Sequence, residues 1–352
     1  TDTWHRFEFF HVILVKCKNS KVNCEANKIE DADISGTEAV WDGAVYTNAG
    51  TLTVKNATVN NNKADKGAAF YCSAGKTELI NVTASGNESK TAAGAIYVGG
   101  AEVVIDGSYI NENKTTKAGG AIGIVNASGK LTVTGTEING NSAETNGGAI
   151  NIEEGTVSIE GSKLNNNTAP SSGGAIYTPK SNPITIKDTE LNGNSSGYGG
   201  AISNNGAEIS IIGESELSNN TATVRGGAID VAGGTGNLTV TGGTFDGNSA
   251  PKAGAVNVQT NCKATFEGTG LNNNKSTYEQ DLTNYDKTMG GGAVYAHTGA
   301  ELTLKGATMD ANSSEYYGGT LLVNAGKLTM EGLEAGLFGG VTRNSITNSK
   351  GA

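Results

Sequence analysis

Apolar and polar residues alternate in short runs, and the runs return on a fixed step. In Gly147–Ile152 (GGAINI) every second side chain is apolar. Glu153, Glu154 and Gly155 interrupt the run, Thr156–Gly161 (TVSIEG) alternates again, and Lys163–Gly173 (KLNNNTAPSSG) adds a short strand and a polar return. Alternation with period two marks a strand with one buried face. An amphipathic helix needs apolar residues three and four apart, and no unit shows that spacing. Three short strands and three turns per unit fit one coil of a β-helix.

The marker GGA[IV] sets the period. Aligned on its second residue, copies fall at 43, 68, 94, 120, 148, 174, 200, 227, 254, 292 and 319, and a truncated one at 351. Nearly all steps lie between 25 and 28 residues; the step from 254 to 292 is 38. The pattern predicts an all-β chain: a right-handed parallel β-helix (β-solenoid) of about eleven coils of 26–27 residues across 31–352. The hand follows the crossover preference of parallel strands. Residues 1–30 read as an N-terminal cap, with Phe7, Phe9, Phe10, Val12, Ile13 and Leu14 over the open first coil, because a solenoid end exposes apolar interior and strand edges. The chain stops inside a repeat, so the natural protein is expected to continue there or to meet another chain. The long step implies a loop insertion near 275–288.

The third segment carries its own signature, an apolar residue, two variable positions and asparagine. It ends at Asn62, Asn113, Asn141, Asn167, Asn194, Asn220, Asn248, Asn274 and Asn312, with weaker copies at Asn87 and Asn344. Stacked coils would set these amides roughly 4.8 Å apart. Each could then donate to the next, a structural ladder at corners whose conformation asparagine tolerates. The paired glycines are expected where the chain turns sharply and coils approach closely.

These two motifs together, GGA[IV] and apolar-x-x-Asn, resemble the repeats of polymorphic outer membrane proteins, the chlamydial-type autotransporter adhesins, or a related microbial β-helix surface protein. Phenylalanine usually opens the second motif in that family; here Phe245 does, and leucine or isoleucine opens most other copies. The resemblance covers roughly residues 31 to 352. It implies a right-handed parallel β-helix, display at the cell surface and a role in attachment.

Charge and composition narrow the alternatives. The formal charge is −10, the pI about 4.9, and the arginines are only Arg6, Arg225 and Arg343. No basic cluster exists to hold nucleic acid. No apolar run is long enough for direct membrane insertion of a helix. An acidic polar surface suits an extracellular or cell-surface protein. Cys17 and Cys24 could pair in an oxidising compartment; Cys72 reads as core. No cofactor or metal motif is present.

An enzymatic role, a polysaccharide lyase or hydrolase, would need positioned carboxylates or a basic residue beside acidic groups. Arg225 and Asp230 come nearest, and read as a solvated charge pair. His5, His11 and His297 have no evident partner. Ice binding would need a flat hydroxyl face; the column Thr53, Thr132, Ser158, Thr185, Ser210, Thr239, Thr265, Thr303 and Thr329 is flanked by charges. The chain has 39 asparagines, so its eleven N-x-[ST] sequons are what composition alone would generate.

Candidate binding residues break the uniformity. Tyr46, Tyr71 and Tyr97 are the fourth residue of GAVY, AAFY and GAIY in three successive coils, where alternation turns them toward solvent. Tyr278, Asp281, Tyr285 and Asp286 lie in the expected insertion. Tyrosine offers a flat apolar face and a hydroxyl to sugars and proteins alike. The expected partner is a host or neighbouring-cell surface glycan or protein, or other copies of the chain.

Overall fold

The computed structural model describes residues 28–39, 41–180, 183–277, 290–315 and 317–332 in full, and the backbone of four further strands, Thr3–Phe7, Ile13–Cys17, Asn23–Glu25 and Ser345–Asn348. The chain divides into two compact units, Thr1–Pro170 and Ser171–Ala352. Each is a β-solenoid built from parallel sheets. Among the described residues there is no helix, and hence none long and apolar enough to cross a membrane.

In the first unit five GGA strands stack in parallel, from Val45–Thr47 to Ile150–Ile152, with Val45, Phe70, Ile96, Ile122 and Ile150 in register. Second strands stack likewise from Thr51–Lys55 to Thr156–Glu160. Third strands run through Lys63–Lys66, Glu88–Ala92, Lys114–Thr115 and Ser142–Ala143. The second unit repeats the plan with six GGA strands, Ile176–Thr178 to Leu321–Val323. Its Glu216–Ser218, Thr244–Asp246 and Gly270–Asn272 form an additional short parallel sheet. The chain thus makes about eleven turns.

Ahead of the first coil the pairing changes sense. Thr3–Phe7 runs antiparallel to Ile13–Cys17, which runs antiparallel to Val45–Thr47. Parallel stacking begins at Lys28–Glu30, paired with the second strand Thr51–Lys55. Phe9, Phe10, Val12 and His11 lie outside the described residues, and His5, Cys17 and Cys24 are described by backbone alone.

Alternation places the core. In each coil the GGA strand, the second strand and the third segment aim apolar side chains inward, as with Ile122, Ile124, Leu131, Val133 and Ile138, each at most 1 % exposed. Burying one such side chain stabilises the fold by about 1.5–3 kcal/mol. Cys72 is buried, as core.

Backbone sterics explain the glycine pairs. A Cβ on Gly120 would stand 2.0 Å from the Gly148 carbonyl oxygen, and one on Gly227 2.0 Å from that of Gly254. At these coils stacking therefore leaves no room for a side chain at the second glycine; one coil carries the methyl of Ala68 there. The first glycine turns the corner: Gly119 and Gly226 take φ of 77° and 66°, a region that penalises residues with a Cβ. At the third corner the left-handed residue is not the ladder asparagine, as its tolerance for such turns suggested, but the one before it. Asn61, Asn166, Asn219 and Asn273 have φ between 53° and 57°.

Candidate functional site

The asparagine ladder forms and is sealed from Asn62 to Asn274, while Asn312, which accepts from Asn274 Nδ2, is half-buried. Asn62, Asn87, Asn113, Asn141, Asn194, Asn220, Asn248 and Asn274 are 0–1 % exposed. Asn113 shows the plan. Its Nδ2 donates to Asn141 Oδ1 at 3.0 Å and back to the Ala84 carbonyl at 2.9 Å. Its Oδ1 accepts the Asn87 backbone N–H and Nδ2, both at 2.9 Å. The same links join Asn220 to Asn248 and Asn248 to Asn274. Thr37 starts the ladder, placing its N–H and Oγ1 2.9 Å from Asn62 Oδ1. Asn87, a weaker copy in sequence, is a full rung. With both amide atoms engaged, these side chains hold coils together and have nothing left for a ligand. Asn344 lies outside the described residues.

The tyrosine column of the first unit is different. Parallel register sets Tyr46, Tyr71 and Tyr97 directly side by side. Their rings stack at 5.5 Å and 27° between the first pair and 4.5 Å and 15° between the second. All three are half-buried. The Lys66 ammonium stands 5.5 Å from the Tyr97 ring centroid, a cation–π contact. Burial, then the neighbouring Tyr97 and Asp42, push the Tyr71 hydroxyl up to about 12, so it remains a neutral donor at any ordinary pH. Near this column, in the turn before Gly43, Trp41 is 74 % exposed. It occupies the repeat position held by Lys66 in the next coil. A lone tryptophan in a glycine-rich turn was the available signal.

Farther along the same outward column, past the half-buried Tyr177, the second unit buries residues that alternation alone would leave in solvent. Asp230, Asn257 and Tyr295 are each 0–1 % exposed. Arg225 and Asp230, expected as a solvated pair, form a buried one: Arg225 Nε lies 3.1 and 3.2 Å from the two carboxylate oxygens. Asn257 Nδ2 donates to Asp230 Oδ1 at 2.7 Å, and Gln259 reaches the same carboxylate at 3.3 Å. The Arg225 guanidinium also covers the Tyr198 ring at 4.4 Å.

His297 is not without partners. Its Nε2 lies 2.9 Å from Asn257 Oδ1, and its ring stacks on Tyr295 at 4.0 Å. Burial, then the positive Lys252 and Arg225, push its pKa down to about 4. A neutral imidazole donating from Nε2 fits this arrangement. The covering residues explain the burial. Tyr198, Arg225, Lys252 and Tyr317 each precede a GGA copy or its variant beside these residues, Arg225 bonded to Asp230 and Tyr317 packed against the cluster that holds Tyr295; elsewhere the same position varies, with Ser172 and Gly290 in the second unit and Trp41, Lys66, Ala92 and Ala118 in the first. The network consumes its own polar groups internally, so it ties coils together and offers no open acid–base pair.

A surface feature that the motifs did not reveal lies on the third strands of the first unit. A groove of about 750 Å³ runs across them, with Lys63, Lys90 and Lys114 among its walls. It depends on a register shift between Glu88–Ala92 and Lys63–Lys66, one residue longer against one shorter, which no single coil's sequence announces.

Among the other expectations, Tyr278, Asp281, Tyr285 and Asp286 lie outside the described residues. Lys275 and Ser276 do not belong to an insertion: they pair with Ser249–Ala250 and Ser313–Ser314. Among the described residues no group of three or more His, Cys, Asp or Glu could hold a metal ion.

Residues 162–179 match the Chlamydia polymorphic membrane protein repeat. The matched stretch contains Leu164–Asn167 and Gly173–Ile176, one copy of each motif. No curated protein and no solved structure matches the chain. The repeat match and the stacked parallel coils together fit a β-helix family of the polymorphic membrane protein type.

Proposed function

We propose that this chain is the β-solenoid part of an extracellular, surface-displayed attachment protein with a non-catalytic role. The observation that carries the reading is the stack of Tyr46, Tyr71 and Tyr97, three half-buried rings held at fixed spacing on a surface otherwise rich in short polar side chains. Rigid aromatic faces bind sugar rings and protein surfaces at low entropic cost. The polymorphic membrane protein repeat supports a surface or autotransporter-type setting. The partner would be a glycan or protein of a host or neighbouring cell, or another copy of the chain.

Changing the three tyrosines to serine tests this. Attachment to cells or to a glycan and protein array should fall at least tenfold while the melting midpoint stays within a few degrees. Full attachment by the folded triple variant would remove the stack from the reading. Removing residues 278–289 tests the second expected binding element, the insertion with Tyr278, Asp281, Tyr285 and Asp286; the cut begins after Thr277, sparing the strand that ends at Ser276.

A further inference from the structure

We infer that the groove on the third strands of the first unit binds a linear acidic oligosaccharide lying along the stack of coils. This deepens the attachment reading and rests on it. The groove draws residues from five successive coils, from Lys63 to Pro170. At roughly 4.8 Å per coil, that spans about 19 Å, the length of a short sugar chain and more than a single small ion needs.

Charge sets the sign of the occupant. Three lysines, Lys63, Lys90 and Lys114, face two glutamates, Glu88 and Glu144, in a chain whose formal charge is −10. Lys63 is neutralised by Glu88 at 3.2 Å. Among the described residues Lys90 and Lys114 have no ion-pair partner. They come from neighbouring coils, so their ammonium groups can meet acidic groups repeated along one chain. Lys90 sits where the register shifts, and such bulges re-aim side chains.

Hydroxyls set the rest. Ser89 is 4 % exposed, lines the groove, and its Oγ has no hydrogen-bond partner. That oxygen is shut off from solvent, in register with the buried Ala64 and Thr115, so an occupant meets the hydroxyls of other residues. Thr116 and Ser142 supply them farther along. A peptide is the poorer occupant, because a peptide strand binds by pairing with free backbone at a sheet edge. Here the backbone is already used between coils: Lys114 N–H donates to the Asn87 carbonyl and Ser142 N–H to that of Asn113. The groove also adjoins the tyrosine stack, since one strand carries Lys63 in its wall and Lys66 over the Tyr97 ring.

The experiment titrates the full chain with a hexauronate, a sulfated heparin hexasaccharide, neutral cellohexaose and hexaglutamate, read by calorimetry at two salt concentrations. The inference expects binding of one or both acidic sugars and neither control. Lys90→Gln with Lys114→Gln should weaken it at least tenfold and flatten the salt dependence. This double variant should keep the parent's melting midpoint within a few degrees, since both side chains are exposed and unpaired, which separates a lost site from a damaged fold. Equal binding of hexaglutamate, or affinity unmoved in the folded double variant, would overturn the inference, as would no sugar binding at all. Oligosaccharide binding that survives in a chain unable to attach to any cell would leave the groove standing and sink the attachment reading instead. Cell attachment without oligosaccharide binding would do the reverse.

Discussion

The outward column of the GGA strands displays rings along part of the first unit and is sealed along part of the second. Tyr46, Tyr71 and Tyr97 stack half-buried in the first unit, whereas Asp230, Asn257 and Tyr295 hold the equivalent register in the second at 0–1 % exposure. Strand geometry is the same in both. What differs is what packs beside the column: Arg225, His297 and Tyr317 close over the sealed residues, while Lys66 stands over one ring of the tyrosine stack. The side chains packed beside the column therefore decide whether it serves display or cohesion.

Breaking the sealed version should cost most. Asp230→Ala leaves the Arg225 charge and the Asn257 amide without their acceptor and should destabilise the fold by about 3 kcal/mol, read from urea melts. A change near zero would mean that water replaces the carboxylate and the column is not sealed.

The ladder runs through both units and should respond equally in each. Asn113→Ala and Asn248→Ala should each cost about 1–3 kcal/mol, the usual penalty for stranding buried donors and acceptors. Exposed Asn126→Ala should stay within about 0.5 kcal/mol. If the ladder variants melt like the Asn126 control, the amides are spectators.

His297 gives the sealed face a pH dependence on the acid side of neutrality. The unfolded chain takes up this proton near the ordinary 6.5, the fold only near 4. The unfolded chain thus binds more protons in between, and stability should fall as pH is lowered through that window. Asp230 opposes this, because burial raises its carboxyl and the fold keeps that proton to higher pH. Comparing the melting midpoint of the parent with His297→Gln between pH 7 and pH 4 isolates the imidazole. The variant should lose less, and superimposable profiles would acquit the histidine.

Tyr71→Ser should produce the smallest stability change, below about 1 kcal/mol, since a ring–ring contact at a half-exposed site contributes little beyond its area. A large loss of stability would show that the stack is cohesive too, and the contrast between the units would narrow.

How much of this was legible follows from the range of each interaction. Period, strand alternation, inward columns such as Ile122 and Val133, and the ladder are written in residues near one another or repeated at fixed offsets, so reading one coil reads them all. The corner was misplaced by one residue because asparagines crowd there: Asn60, Asn61 and Asn62 are indistinguishable by type, and only the φ of 54° at Asn61 separates them. The fate of Asp230 and His297 was not legible. Their partners, Asn257 and Gln259 for the first and Asn257 for the second, lie 27 to 40 residues away. No rule of alternation states that a neighbouring side chain will close over them. The groove escaped for a related reason, since it depends on one strand holding an extra residue against its neighbour.

The ladder also constrains where this chain can be made. Asn87, Asn113, Asn194 and Asn274 are buried rungs, and each begins an N-x-[ST] sequence. A secretory pathway that glycosylates such acceptors modifies the chain as it emerges, before any coil has closed. A glycan on Asn113 has no space among stacked amides, so the coil carrying it could not dock on its predecessor. A eukaryotic secretory host would therefore yield misassembled material from a sequence that a non-glycosylating cell folds. Replacing the acceptor threonine or serine two residues on, rather than the asparagine, would restore production without touching a rung.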